Sequence, residues 1–424
     1  STLGGIGSVV GTSAYGMSVV ETGTDHILFQ YDNGASGALA IQPDVTGAGE
    51  VQTWFSGYKY RGGFQYHRRN GGNLTVVNVL PLEDYINGVV CYEMGREWPL
   101  EALKAQALCA RTYVLKNLGK HNSHGFDICP SDSCQVYRGM GSERPDYGPS
   151  EASMRAVAET AGMVVKYNGR LAEVFYVSSF GGASEDAKNI WGSDTVNEYP
   201  YLRGVEDPYE ADLDYANAFS PWTVTYTTSQ LTQQLQKSGL GVGTSVKSLE
   251  LHYSDLGNVI QATVHWANGQ NSTISASNIR SRFDVRSIRF TVNGSGTGGT
   301  GAPSDPENGG EVYINGSAVS GGIEGKYAIS GSGAVSQVGD KPYAISGTGS
   351  ISAVGTGGGP NNSTATQPGG GTVTVTGSTY TFNGGGWGHQ VGMSQYGANA
   401  MARRGFTGSE IVEFYFPGVQ VAHY

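Results

Sequence analysis

The hydrophobic period changes at Pro81, and that change restricts what the chain can fold into. Upstream, "YKYRGGFQYHRRNGGNLTVVNVL" (58–80) alternates apolar and polar residues on both sides of Asn70-Gly71-Gly72-Asn73. Alternation at period two around such a turn predicts an antiparallel hairpin. Downstream, Leu82, Tyr85, Ile86, Val89 and Val90 recur at helical spacing, with Pro81 suited to the first position of the helix. A second run opens at Pro99 and puts Leu100, Leu103, Ala107, Ala110 and Val114 on one face. Its alanines let another element approach closely. Neither an all-helical nor an all-strand fold accommodates both periods. The predicted class is α+β, with mixed helices and twisted β elements forming a cleft.

Other segments fill in the plan. Residues 1–57 read as an N-terminal arm of small strands, and 58–294 as the core. Within that core, a short helix over 150–160 ends near Gly162, and "MVVKYNGRLAEVFYVSS" (163–179) reads as a hairpin turning at Asn168-Gly169. A glycine loop, "FGGASE" (180–185), follows, and 222–293 alternates like strands around a helix at 229–239. Residues 295–372 are rich in Gly, Ser and Thr, and "YAISGSGAVSQVG" (327–339) recurs as "YAISGTGSISAVG" (343–355). This stretch reads as an insertion of small β-hairpin units between flexible linkers. Residues 373–424 complete the core, with a glycine-rich turn carrying Trp387 and His389 and a helix over 394–404. "TGSE" (407–410) follows as a capping box for a last short helix.

The formal net charge of −10 argues against nucleic acid or an anionic membrane surface as the main partner. No apolar run approaches the roughly 20 residues that span a bilayer. The chain starts at Ser1 rather than at a methionine, so a signal peptide or anchor is expected to have been removed or left out. Four cysteines are too few and too clustered for a disulfide framework. Cys91 and Cys109 sit among apolar residues and read as buried thiols.

The acids around "VVCYEMGREWPLEALKAQA" (89–107) separate by position. Glu83, Asp84 and Glu101 fall in first helical turns, where the helix dipole favours negative charge. Glu97 precedes Trp98-Pro99 in the connection. Glu93 lies past the apolar stripe, at the end of its helix, where the dipole disfavours a carboxylate. Val89, Val90, Cys91, Tyr92 and Met94 around it solvate charge poorly. A carboxyl held there is expected to have a raised pKa, which suits a general acid for glycosidic bond cleavage.

"LPLEDYINGVVCYEMGREWPLEALKAQALCARTYVL" (80–115) closely resembles the signature of the stage II sporulation protein D family, which includes amidase-enhancer proteins. The resemblance continues in "CQVYRG" (134–139), "YVSSFGGASED" (176–186), "YPYLRGVEDP" (199–208) and "GGGWGHQVGMSQYGANAMARRG" (385–405). It implies a peptidoglycan lytic transglycosylase that cuts between N-acetylmuramic acid and N-acetylglucosamine and leaves 1,6-anhydro ends. Its catalytic glutamate corresponds to Glu93. A single carboxylate suffices, because the muramyl C6 hydroxyl replaces water as nucleophile. The family blocks suggest a sugar site lined by Arg96, Gln135, Tyr137, Tyr176, Ser178, Ser179, Gly181 and Gly182, with His389, Gln395 and Tyr396 from the C-terminal block. The cleft is expected between the Glu93 region and the 385–397 block, and Gln390 stands where a glycine is common.

The chemistry needs no cofactor. "HGFDICPSDSC" (124–134) nevertheless offers His124, Cys129 and Cys134 as three zinc ligands, with His121 an alternative to His124. Some members of the family hold zinc in the equivalent loop with one histidine and two cysteines. A Cys129–Cys134 disulfide and two free thiols are the other readings. A serine nucleophile, Ser178 or Ser179 with His389 and Asp186 or Asp207, lacks the Gly-x-Ser-x-Gly elbow. A non-catalytic glycan-binding enhancer of a cell-wall amidase is the rival from a different class. The expected location is outside the cytoplasm, at a Gram-positive-type wall, with peptidoglycan strands and an amidase as partners.

Overall fold

A computed structural model describes residues 15–293 and 370–424, apart from positions 22, 25, 33, 35–36, 44–52, 69–72, 145–147 and 214–219. It adds short strands at 2–3 and 11–12 and six strands between 312 and 353. The fold is α+β. Two compact units form, one from residues 1–173 with 407–409 and 421–424, the other from 174–406 with 410–420. The segment 58–294, read from sequence as one core, therefore contributes to both.

In the first unit, the hairpin pairs Gly63–Arg68 with Leu74–Val79, in register from Gly63 opposite Val79 to Arg68 opposite Leu74. Leu39–Ile41 adds a third strand. Two helices follow, α1 (Leu82–Glu93) and α2 (Leu100–Lys116), each with its proline in the capping position just ahead. On the predicted face of α2, Leu103, Ala107, Ala110 and Val114 are buried and Leu100 is half-buried; Ala102 and Ala105 on the other side have zero exposure as well, so the helix is buried on more than one face. Helix α3 (Glu151–Glu159) opens on a capping box between Ser150 and Ser153. Its chain runs into the strand Met163–Tyr167, which turns at Asn168-Gly169 onto Arg170–Leu171.

A buried cation organises this helical layer. Arg111 on α2 has no solvent exposure. Its Nε and Nη2 donate to the two oxygens of Glu83 on α1, at 2.8 and 2.7 Å. Its other donors reach Val157 O on α3 (3.3 Å) and Met163 O at the start of the strand (3.1 Å). Glu83 is thus more than an acid answering the helix dipole. Asp84 likewise pairs with Arg61 at 2.7 Å, and Glu101 pairs with Lys104 at 2.7 Å and accepts from Gly408 N–H.

In the second unit, one antiparallel sheet runs in the order Asn271–Ser275, Val259–Trp266, Val246–Tyr253, Gly371–Val375. Another places Thr379–Gly384 between Trp222–Thr227 and Phe290–Val292. The helix read at 229–239 spans Thr228–Gln236, and the sequence reading missed a further helix, Ala276–Phe283. Tyr176–Val177 leaves the expected 163–179 hairpin and pairs in parallel with Met393–Ser394. Each copy of the repeat forms one hairpin, Tyr327–Ile329 with Val335–Gln337 and Tyr343–Ile345 with Ile351–Ala353. A third joins Val312–Ile314 to Ser317–Val319. The remaining 295–369 positions lie outside the described residues. Among the described residues, no helix is long and apolar enough to cross a membrane.

Breaking a buried ion pair from one side leaves the other charge uncompensated, at a cost of about 3–5 kcal/mol. Glu83→Gln, which leaves the fully buried Arg111 charge without its counter-ion, is therefore expected to lower unfolding stability by about that amount. Arg111→Met should lose less, since it keeps much of the side-chain volume and the charge it leaves, on Glu83, keeps 38% exposure. Urea unfolding of both variants measures the difference.

Candidate functional site

Glu93 is the last residue of α1 and is half-buried. Its Oε1 accepts a 2.6 Å hydrogen bond from Val136 N–H. The donor loop is fixed from beneath by Gln135, which has no exposure. Tyr85 OH donates to Gln135 Oε1 at 3.1 Å, and Gln135 Nε2 donates to Ala110 O at 3.2 Å. Tyr137 packs its ring 4.8 Å from that of Tyr85 and donates from its hydroxyl to Asn78 Oδ1 at 2.5 Å. A Cβ on Gly88 would lie 2.5 Å from the Tyr137 ring, so α1 carries glycine at that contact despite its helical cost. Burial pushes the Cys91 thiol up to about 12, and the Tyr85 hydroxyl is raised for the same reason. Arg96 lies in the turn after α1, its Nε 3.2 Å from Glu97 Oε1.

The cysteine loop leads straight into this support. His121, Cys129 and Cys134 place one ligand atom each within 4.8 Å of one another. His121 Nε2 is 3.2 Å from Cys134 Sγ. The histidine in the cluster is thus His121 and not His124. The 3-10 turn over residues 122–124 separates the two histidines locally, and both of their rings stack on Phe126, at 5.1 Å for His121 and 6.1 Å for His124. None of the four cysteines is in a disulfide. Burial works against a Cys129 thiolate, but hydrogen bonds from Ser131 and Cys134 and the Lys120 charge bring its pKa below the ordinary thiol value. The donor set fits a tetrahedral soft-ligand ion such as zinc.

The second unit joins two blocks that are far apart in sequence. Ser179 and Trp387 exchange backbone hydrogen bonds of 3.3 and 2.8 Å, and Tyr396 N–H donates to Ser178 O at 3.0 Å. Gly181 has φ 65°, and a Cβ there would come within 2.4 Å of Gly385 C. Arg289 Nε donates to Gly181 O at 2.9 Å beside Gly182. Gln390 adopts the left-handed conformation, φ 65°, that glycine would take without cost. Its buried amide offsets that by donating to Phe180 O at 2.8 Å and Ala183 O at 3.0 Å. Of the residues expected to line a sugar site here, Ser179 and Gln395 are buried, while Tyr176, Ser178, Tyr396 and His389 are half-buried.

Beneath this junction lies an acid pair that the sequence reading did not connect to the site. Glu210 accepts from Ser179 Oγ (2.5 Å), from Phe180 N–H (2.8 Å) and from Ser394 Oγ. Asp207 accepts from Tyr415 OH at 2.6 Å. Ser179 therefore donates to Glu210, Asp207 binds Tyr415, and His389 Nδ1 accepts from Val391 N–H (3.2 Å). These contacts assemble no Ser-His-Asp relay.

His389 borders a cavity of about 610 Å³ formed within the second unit. Trp191 and Trp387 also line it, the residues being 42% and 41% exposed. Burial, then the positive charge of Arg280, hold His389 down at about 4, so it is neutral at physiological pH.

Residues 70–167 match the family profile of SpoIID, stage II sporulation protein. The stage II sporulation protein D of Bacillus subtilis is 26% identical over 82% of this chain and 76% of its own length. The amidase enhancer of Bacillus subtilis is 29% identical over 80% of this chain and 40% of its own. An uncharacterized protein of Brachyspira hyodysenteriae is 33% identical over 47% of this chain and 53% of its own. The matched stretch thus spans about half or less of two of these relatives. The α+β chain belongs to the SpoIID/amidase-enhancer family.

Burial, followed by the Glu210 charge, raises Asp207 to about 7. A carboxyl whose pKa is higher folded than unfolded stabilises the fold most below the unfolded value, near 4, and loses that contribution as pH rises through about 7. Glu210 is raised in the same direction, also by burial first. Wild-type thermal stability is expected to fall between pH 4 and 7 more steeply than that of Asp207→Asn. Melting curves across that range measure the difference in slope.

Proposed function

We propose that the protein is a lytic transglycosylase acting on peptidoglycan glycan strands, with Glu93 as its general acid and then its general base. The observation that carries this reading is the seat of Glu93: a half-buried carboxyl at a helix C-terminus, held by the Val136 amide. In the first step Glu93 gives its proton to the glycosidic oxygen as the C1–O bond breaks and the muramyl ring takes on oxocarbenium character. The Glu93 carboxylate then removes the proton from the C6 hydroxyl as O6 bonds to C1. The net change moves one proton from O6 to the leaving oxygen, so no water and no second acid enter. Gln135 and Tyr137, being buried, position the Val136 loop, as Ser179 and Gln395 position theirs. In the first unit the sugar contact assigned beside Glu93 is Arg96; the second unit offers contacts of its own in Tyr176, Ser178, His389 and Tyr396, with Gly181 and Gly182 allowing close approach.

A zinc ion held by His121, Cys129 and Cys134 would cross-link the loop that leads through Gln135 to the Val136 donor. Its part is structural, and the proton transfers belong to Glu93. The protein is proposed to act outside the cytoplasm. A second reading comes from the relative named amidase enhancer: the chain binds glycan and assists a cell-wall amidase without cutting.

Mass spectrometry of peptidoglycan after incubation separates the two. The wild type is expected to generate anhydro-muramyl ends, and Glu93→Gln to do so at least about 100-fold more slowly, the usual contribution of a positioned acid–base group. An absence of new ends with either protein would favour the enhancer reading. Elemental analysis is expected to find close to one zinc per chain, falling in Cys129→Ser and Cys134→Ser. Zinc-free wild type with intact thiols would sink the metal assignment.

A further inference from the structure

We propose that the second unit carries a binding pocket for a saccharide ring bearing a carboxylate, with Trp191 and Trp387 as its stacking faces and Arg280 and Arg286 as its anion partners. This deepens the glycan reading above and rests on it for the kind of sugar. The pocket itself is defined by geometry alone. Its walls are the end of the helix Ala187–Trp191, the helix Ala276–Phe283 with the turn after it, and the turn at Trp387–His389. At about 610 Å³ it falls within the roughly 300–1,000 Å³ typical of small-molecule sites.

Three features select the ligand. First, one exposed aromatic residue is ordinary, but Trp191 and Trp387, 42% and 41% exposed as residues, both line a single cavity. Flat apolar faces beside polar groups match the C–H face of a pyranose. Second, the Arg286 guanidinium lies 5.2 Å from the centroid of the Trp387 ring, so cation and stacking surface are presented together. Third, the charged wall residues are Arg280, Arg286 and Asp284, two positive against one negative. His389 adds no charge above about pH 5, because burial and Arg280 keep it neutral.

This local excess sits in a protein of net charge −10. The overall field repels anions, and salt screens it within about 10 Å. Recognition of an anion here must therefore come from short-range contact, and a guanidinium offers a carboxylate paired donors in a fixed fork. Asp284, in the left-handed region at φ 52° and ψ 52°, ends the helix on this wall and stands against ligands of higher negative charge.

Calorimetric titration tests the pocket with N-acetylmuramic acid and with N-acetylglucosamine, which lacks the lactyl carboxylate. Glucuronic acid serves as a probe carrying its carboxylate elsewhere on the ring. N-acetylmuramic acid is expected to bind at least about ten-fold more tightly than N-acetylglucosamine, the ratio that one charge-assisted hydrogen bond supplies. Comparable binding of glucuronic acid would show that the carboxylate is read from either ring position. Arg280→Gln and Arg286→Gln should each remove most of that preference while leaving N-acetylglucosamine binding unchanged, and Trp387→Ala should weaken all three sugars. Circular dichroism of each variant confirms folding. Equal affinity for the two amino sugars, or a preference untouched by both arginine changes, overturns the proposal. Glu93→Gln should bind N-acetylmuramic acid like the wild type, so loss of the lytic reaction leaves the pocket standing. Anhydro ends formed by a protein that binds none of these sugars would overturn the pocket alone.

Discussion

A guanidinium without solvent contact must place its donors on protein acceptors, and Arg111 places them on three different elements besides its own. That requirement sets the spacing of α1 against α2 and of α3 against both. The alanine face of α2 makes the close approach sterically possible; the guanidinium makes one arrangement better than its neighbours. Buried ion pairs add little net stability over apolar packing, so their value lies in which geometry they permit. Glu93 stands at the far end of the helix that Glu83 begins. The register fixed at one end of α1 is therefore carried to the carboxyl at the other.

The second unit solves the same problem with an anion. Glu210 collects two serine hydroxyls and the backbone N–H groups of Phe180 and Gly181 from two chain segments, and so ties the glycine loop to the start of the C-terminal helix. Gln390 does this from the other side with its amide on two carbonyls. Glycines in these segments lower the steric cost of close backbone approach, but they supply no side-chain bonds. Buried polar side chains supply them instead, and each is costly to leave unpaired. Protonation of the Asp207–Glu210 pair is consequently linked to how firmly this junction is held.

Much of this was legible in the sequence for physical reasons. Pro81 and Pro99 mark both helices because a missing N–H is harmless only at a helix start. The period-two runs fixed the hairpin because its inner face must be apolar. Glu93 stood out because helix position alone could not account for it. What escaped depends on side-chain geometry across long separations. Arg111 reads as one more residue on a helix until Glu83 is brought to it. His121 and His124 are both open by spacing, and only the folded loop, with its 3-10 turn, brings His121 to the two cysteines. Gln135 looked like a ligand contact because polar residues in a family block invite that reading, yet its amide is consumed inside the protein. The helix Ala276–Phe283 was hidden by its arginines and serines, and with it went the wall that carries Arg280.

On the proposed glycan reading, the two units divide between them two demands that conflict in a single site. A general acid needs an environment that disfavours its charge, which means few strong dipoles and no crowding cations. Recognition of an anionic sugar needs the opposite, guanidinium groups at contact distance. On that reading Glu93, with the Val136 amide among its partners, serves the first demand from a helix end, and the arginines around a cavity built within the other unit serve the second. A cation moved next to Glu93 would depress its pKa and remove the proton that the first step requires. The glycan reading thus predicts a physical division of labour: proton transfer at Glu93, and sugar recognition by aromatic faces and fixed positive charge.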